Sequence, residues 1–175
     1  MNLPPRMVVV IGVSGSGKSS VGAALARACG WPFLEGDDLH PPANIAKMRA
    51  GIALTDADRQ PWLDAIGAWM AARQMAGDGG VVACSALRRR YRDRLRASVP
   101  ALQLVVLETA PDLLARRMRE RRHFMPASLL TSQLATWEPP GPDEQAIRFD
   151  ADHDLAGIVE RVRLALFAGD TDGSA

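Results

Sequence analysis

The sequence predicts an α/β protein in which a parallel sheet of five strands is flanked by helices. Two observations indicate this class: short apolar runs alternate with amphipathic stretches of helical spacing, and glycine or proline stands between them. Strands that alternate with helices form parallel βαβ units with right-handed crossovers. With 175 residues, 47% of them hydrophobic, the chain suits one core, so we expect a single domain over residues 1–168 and a disordered tail over 169–175.

The first half of the chain predicts two strands and two helices. MVVVIGV (7–13) is β-branched and bounded by glycine, as expected of a buried strand, and PFLEG (32–36) predicts a weaker one. The helix between them and the helix over 59–75 follow from apolar residues three and four positions apart. Those markers are Val21, Ala24, Leu25 and Ala28 in the first helix and Trp62, Ile66, Trp69 and Met70 in the second.

The second half predicts three further strands, VVACSA (81–86), LQLVVLE (102–108) and AIRFDAD (146–152). An arginine-rich helix over 87–98 separates the first two, and Pro111 begins a helix that we expect to reach about residue 122. Apolar residues from Leu155 to Val162 mark a closing helix.

Composition excludes several classes of function. The formal charge is +1, from 21 basic and 20 acidic side chains, so nothing global attracts nucleic acid or an anionic membrane. No apolar run approaches the roughly 18–20 residues of a membrane span. The two cysteines lack C-x-x-C spacing and no signal-like leader precedes the first strand, which favours a reduced, cytoplasmic protein.

GVSGSGKS, residues 12–19, matches the pattern G-x-x-x-x-G-K-[ST] directly after a strand and before a helix. In such a loop the backbone N–H groups and the helix N-terminus face phosphates. Lys18 is expected to reach the β- and γ-phosphates and the Ser19 hydroxyl to ligate Mg²⁺. The alternative is a glycine-rich turn with no ligand. The predicted nucleotide-binding residues are Gly12, Ser14, Gly15, Ser16, Gly17, Lys18, Ser19 and Ser20.

A phosphate-binding loop leaves three classes open: a small-molecule kinase, a hydrolysing switch or regulatory module, and a motor or transporter ATPase. A GTPase switch should carry N-K-x-D after a strand, and the sequence has none. Motors usually end an apolar strand in a carboxylate, whereas VVACSA ends without one. Both absences favour the kinase.

GDDLHPPANIAKM, residues 36–48, follows the second predicted strand with polar side chains that a core does not need. Ligands of open α/β sheets bind at the carboxyl ends of strands, next to the predicted nucleotide. A carboxylate at Asp37 or Asp38 can accept the proton of an attacking hydroxyl or hold Mg²⁺ through water. His40 and Lys47 add groups suited to a polyhydroxylated or anionic ligand. The alternative is that Asp38 caps a helix and His40 is an ordinary loop histidine.

Four segments together resemble the gluconokinases of the thermoresistant type, small P-loop kinases related in fold to shikimate and nucleoside monophosphate kinases. They are GVSGSGKS, GDDLHPPANIAKMRAGIALTDADRQPWL, CSALRRRYRDRLR and HFMPASLLTSQLATWEPP. The resemblance covers nearly all of residues 7–165. It implies phosphorylation of D-gluconate at its 6-hydroxyl by ATP with Mg²⁺, and a homodimer.

Gluconate has a carboxylate at one end and the reacting hydroxyl at the other, so its site needs bidentate arginines and a carboxylate base. Asp37 is our candidate for the base, with Asp38 as second choice. For the substrate carboxylate we consider Arg59 and the arginine-rich helix. There Arg92 matches the family motif, and Arg88 replaces its usual lysine.

In the related kinases a lid closes over ATP, and the matching segment here is about residues 116–137. Arg117 and Arg121 lie four residues apart and are our candidates for nucleotide contact, Arg121 also as a catalytic residue that neutralises charge on the transferred phosphoryl group. Arg122 stands where the family often has glycine, which leaves the role of His123 open. Two other functions also stay open: a kinase for another small polyol acid such as shikimate, and a non-catalytic ATP-binding regulatory module.

Overall fold

A computed structural model describes residues 4–120 and 127–168. Its sheet has five strands, all parallel, in the order β2-β3-β1-β4-β5. The strands are β1 (Met7–Ile11), β2 (Phe33–Glu35), β3 (Gly80–Ala83), β4 (Gln103–Glu108) and β5 (Ile147–Asp150). The predicted parallel α/β class is confirmed, whereas the strand order could not be derived from the sequence.

The described residues form seven α-helices. They are α1 (Lys18–Cys29), α2 (Pro42–Arg49), α3 (Asp56–Met75), α4 (Arg89–Ser98), α5 (Pro111–Glu120), α6 (Ala127–Thr136) and α7 (Leu155–Phe167). Two short 3₁₀ turns, Gly36–Leu39 and Pro142–Glu144, follow β2 and precede β5. None of the helices in the described ranges is long and apolar enough to cross a membrane.

Both faces of the sheet are buried, which explains why β1 and β3 carry no polar side chain and why the four middle residues of β4 are apolar. One face, with Val9, Val82 and Leu104, packs against α3 and α4. The other face, with Val8 and Val105, packs against α1 and α7. The strands are therefore held by apolar layers on two sides, and their carboxyl ends are free to carry the site.

Several predicted boundaries shift for local reasons. β1 ends at Ile11 because Gly12 turns with φ 151°. β3 ends at Ala83, and Ala86 adopts the left-handed region at φ 37°. α3 begins at Asp56, before the predicted residue 59, because Thr55 and Asp58 form a reciprocal capping box.

The structure describes only part of the predicted lid, about residues 116–137. Arg121 and His123 lie outside the described residues, as does the predicted tail over 169–175. Helices α2 and α6 were not among the predicted elements.

Candidate active site

The phosphate-binding loop lies between β1 and the first turn of α1, as its pattern predicts. Gly15 and Gly17 have φ values of 82° and 99°, in the left-handed region where a side chain would be strained. A Cβ on Gly12 would lie 2.8 Å from the Ser16 hydroxyl and 3.0 Å from the Leu107 carbonyl. The buried Ser16 hydroxyl has no hydrogen-bond partner among the described residues, as expected of a group that faces a ligand.

Lys18 is half-buried beside this loop, and its Nζ donates to the Val13 carbonyl at 3.0 Å. Burial lowers the pKa of Lys18, while the negative charges of Asp37 and Glu35 oppose the change. Burial also raises the pKa of the neighbouring Cys84 thiol to about 12, so it stays uncharged at neutral pH. The nearby carboxylates therefore compensate the positive charge of Lys18 only in part, and a bound phosphate would stabilise that charge.

Glu35, the last residue of β2, is a site residue that the sequence reasoning missed. Its carboxylate is hydrogen-bonded to Ser19, the predicted Mg²⁺ ligand. Burial raises the pKa of Glu35, and the Ser19 hydrogen bond and Lys18 partly offset this. A charged residue at the carboxyl end of a half-buried strand was the available indication.

Asp37 and Asp38 lie in the 3₁₀ turn that follows β2, both exposed to solvent. Of the two, Asp37 acts on Lys18 and on His40 electrostatically, and it acts on Glu35 more strongly than Asp38 does. The turn is fixed by close packing, since a Cβ on Gly36 would lie 2.5 Å from the Ala83 carbonyl. Asp37 is thus the carboxylate that the fold brings toward the phosphate-binding lysine.

His40 and Lys47 were predicted to contact the substrate, and the structure gives each a different partner. The His40 ring is buried and stacks on Trp62, with ring centroids 4.2 Å apart. Lys47 Nζ forms a salt bridge to the Asp58 carboxylate at 2.8 Å and 2.9 Å. That bond is the main reason why the pKa of Asp58 is lowered to about 2. Substrate binding by Lys47 stays a prediction, and Asp58 is the partner that the structure gives it.

Arg59 and Arg88 meet at a cavity of about 300 Å³ between α3, α4 and α6. Tyr91 lines the same cavity, and the Arg59 guanidinium lies 5.4 Å from its ring centroid. The Nε atoms of Arg59 and Arg88 are buried and have no hydrogen-bond partner within the described ranges. Arg59 Nη2 donates to the Leu54 carbonyl at 3.3 Å, and Arg88 Nη1 lies 3.8 Å from the Asp56 carboxylate. Two guanidinium groups that line one cavity are what a carboxylate ligand requires.

Arg92 does not line that cavity, which corrects its prediction as a substrate-binding residue. Its side chain is fully buried and forms a bidentate ion pair with Glu144, Nε to Oε2 at 2.6 Å and Nη2 to Oε1 at 2.8 Å. Its Nη1 donates to the Ala86 carbonyl at 3.1 Å. With these donors engaged, Arg92 supports the turn after β3 instead of binding a ligand.

A second cavity, of about 280 Å³, lies on the other side of the phosphate-binding loop. Gly15, Ser16, Gly17 and Ser20 line it together with Leu155 and Ile158 of α7. Arg117 also lines it, and donates to the carbonyls of Ser16 at 3.3 Å and Ala151 at 3.0 Å. The structure therefore brings the predicted nucleotide residue Arg117 against the phosphate-binding loop.

Gln133 of α6 also reaches the loop, since its Oε1 accepts from the Ser14 N–H at 2.7 Å. No role for Gln133 could be derived from the sequence, because the contact joins positions 119 residues apart. No cluster of three or more possible metal ligands occurs among His, Cys, Asp and Glu of residues 4–120 and 127–168.

Comparisons with known proteins show the family of the chain. The family model of an AAA domain matches residues 7–140. A gluconokinase from Gluconobacter oxydans is 52% identical over 163 residues, which cover 93% of this chain and 92% of that protein. The chain belongs to the gluconokinase family. A crystal structure of a gluconokinase from Sinorhizobium meliloti is 52% identical, with a TM-score of 0.85 over 96% of each chain.

Membership of the gluconokinase family also places the chain among the P-loop kinases. A shikimate kinase from Aquifex aeolicus superposes with a TM-score of 0.59 over 96% of this chain and 99% of that one, but at 16% identity. That likeness shows the fold alone. The sequence-based resemblance to gluconokinases is therefore confirmed at the level of the family.

Proposed function

We propose that this member of the gluconokinase family transfers the γ-phosphoryl group of ATP to the 6-hydroxyl of D-gluconate. The observation that carries the proposal is the arrangement around the phosphate-binding loop. Lys18 and Asp37 interact electrostatically, and two arginines, Arg59 and Arg88, line a separate cavity. Such a site offers a phosphate anchor, a proton acceptor and a carboxylate anchor.

In this proposal the nucleotide phosphates bind the loop N–H groups and Lys18, while the base and sugar occupy the cavity lined by Arg117 and α7. Arg117 is already held by loop carbonyls, so it borders the nucleotide without needing to move far. Gln133 links α6 to the loop, and this contact supports a lid role for the predicted segment.

At the acceptor end, Asp37 orients the 6-hydroxyl of gluconate and receives its proton as the oxygen attacks the γ-phosphorus. The bond between the γ-phosphorus and the β,γ-bridging oxygen breaks, and ADP leaves. Lys18 stabilises the charge on the transferred group because it is half-buried and water screens its charge less than on an open surface. Arg59 and Arg88 hold the gluconate carboxylate at a fixed distance from Asp37.

The residues around Ser19 fit a Mg²⁺ ion that arrives with the nucleotide. The Ser19 hydroxyl is a hard oxygen ligand, and the Glu35 carboxylate bonded to it can hold a coordinated water. When bound, the ion neutralises charge on the β- and γ-phosphate oxygens. A site with few protein ligands suits Mg²⁺, which keeps several waters.

The test is ATP consumption in a coupled assay with Mg²⁺ and a panel of gluconate, shikimate, related sugar acids and a blank without acceptor. Turnover that requires gluconate is the expected result. Equal consumption in the blank would instead indicate a nucleotide-binding module, and turnover with another acid alone would reassign the substrate. Homodimer formation and cytoplasmic location stay predictions, and light scattering on a sizing column tests the first.

A further inference from the structure

His40 is held by a chain of contacts that begins at the start of α3 and ends at Asp37. The Asn44 side chain is buried, and its Nδ2 donates to the Asp58 carbonyl at 2.7 Å. Because a carbonyl can only accept, this bond fixes which end of the Asn44 amide is the nitrogen. The capping box of Thr55 and Asp58 in turn fixes the position of that carbonyl.

The same Asn44 Nδ2 lies 3.3 Å from Nδ1 of His40. An amide nitrogen is a donor with no free lone pair, so Nδ1 must be the acceptor. A neutral imidazole with an unprotonated Nδ1 carries its proton on Nε2. The contacts of Asn44 therefore determine the tautomer of His40.

Nε2 of His40 lies 3.9 Å from Oδ1 of Asp37. The ring cannot turn away, because it is stacked at 14° on Trp62, whose own Nε1 donates to the Gly36 carbonyl at 2.7 Å. The Asp37 side chain is 46% exposed and free to rotate. A rotation of the Asp37 side chain can shorten this distance to about 2.9 Å, the normal length of a hydrogen bond. Catalytic hydrogen bonds often shorten in this way when substrate binds.

Burial of the ring also keeps it neutral. Burial lowers the pKa of His40, Arg59 lowers it further, and Asp37 acts in the opposite direction. A neutral ring with a fixed Nε2–H is a hydrogen-bond donor at Asp37 that does not compete for the proton of the substrate.

We propose that Asn44 locks His40 in the Nε2–H tautomer and that this N–H is a positioning group for the Asp37 carboxylate. One carboxylate oxygen accepts from His40, which leaves the other directed at the reacting hydroxyl. This role rests on the proposed function, since it matters only if Asp37 receives the proton of gluconate. His40 thereby acts through Asp37, and not on the substrate as the sequence predicted.

The first experiment reads the tautomer directly, without turnover. The chain has three histidines, and a long-range ¹H–¹⁵N correlation spectrum of the full protein separates them, with His40→Gln assigning the His40 signals. We expect the Nε2–H pattern at neutral pH, and a shift toward Nδ1 protonation in Asn44→Asp, where an acceptor replaces the amide donor. An Nδ1–H or doubly protonated ring in the unaltered protein would overturn the proposal.

The second experiment compares His40→Gln with His40→Asn. Both remove the stacking on Trp62, but the glutamine amide nitrogen reaches the position of Nε2 and that of asparagine does not. We expect His40→Asn to lower kcat for gluconate at least about tenfold relative to His40→Gln, the factor that a lost hydrogen bond to a charged group gives. KM for ATP should change little in either variant.

Equal kcat in the two variants would show a purely structural role and refute the positioning role. If the unaltered protein gave no turnover with gluconate, the proposed function and this role would both fail, while the spectrum would still decide the tautomer.

Discussion

The buried ion pair between Arg92 and Glu144 allows a quantitative test of the fold behind the active site. Arg92→Met removes two charge-assisted hydrogen bonds, of 2.6 Å and 2.8 Å, and leaves Glu144 buried. Breaking such a pair from one side costs about 3–5 kcal/mol. Arg96 at 3.3 Å and the Gly141 N–H at 3.0 Å still donate to Glu144, so we expect the lower end, about 3 kcal/mol.

Two further variants separate the pair from general damage to the helix. The double variant Arg92→Met, Glu144→Leu leaves no buried charge without a partner. We expect its free energy of unfolding to fall by about 1–2 kcal/mol, which is the cost of the unsatisfied Gly141 N–H. Arg94→Met removes an arginine of the same helix whose bonds to Asp64, at 2.6 Å and 2.8 Å, are exposed to solvent. That control should lose less than about 1 kcal/mol.

Urea unfolding followed by the fluorescence of the four tryptophans measures the free energy of unfolding of each variant. The expected loss for Arg92→Met corresponds to roughly 6–12 °C in Tm for a chain of this length. The reasoning is wrong if Arg92→Met costs no more than Arg94→Met, or if the double variant is as unstable as the sum of its two single changes.

The remaining predictions concern the site and its pH dependence. Lys18→Ala should abolish ATP turnover without lowering Tm, because it removes a half-buried charge whose pKa is lowered by desolvation; a lower Tm in thermal unfolding would contradict this. Asp37→Asn should reduce kcat at least about a hundredfold while ATP affinity is kept, and Asp38→Asn should not; near-normal kcat in Asp37→Asn would exclude it as the base. Burial would raise the pKa of Glu144, but Arg92 and the Gly141 N–H lower it to about 2 from an ordinary 4.5. The resulting stability is therefore complete above about pH 5 and lost as pH falls toward 2, and Glu144→Gln should unfold with a flatter pH dependence in urea titrations at pH 3 and pH 6.

Much of the fold could be predicted because its information is local. Short apolar runs indicated all five strands, and three- and four-residue spacing indicated helices α1, α3 and α7. The arginine-rich stretch and Pro111 indicated α4 and α5. Strand ends shifted where a backbone turn intervened, at Gly12 and Ala86, because hydrophobicity does not report φ. Helix α2 was missed because its pattern of burial is weak, with Asn44 and Met48 as its buried residues.

The site divides in the same way. The phosphate-binding loop could be predicted because its glycines, lysine and serine lie in one contiguous segment. The resemblance to a known family added a prediction of the substrate class. The roles of Glu35, Gln133 and His40 depended on partners that no spacing reveals, such as the Trp62 ring beneath His40.

The sequence by itself determined that this protein has a nucleotide-binding loop after a buried strand, within a parallel α/β sheet. Only the tertiary structure decided which arginines line a cavity. Arg88 and Arg92 are four residues apart in one basic run, yet one borders a cavity and the other is buried against Glu144, 52 positions away. The role of a buried charged side chain depends on the partners that replace its hydrating water. Those partners lie far away in the sequence and reach the side chain only when the chain folds.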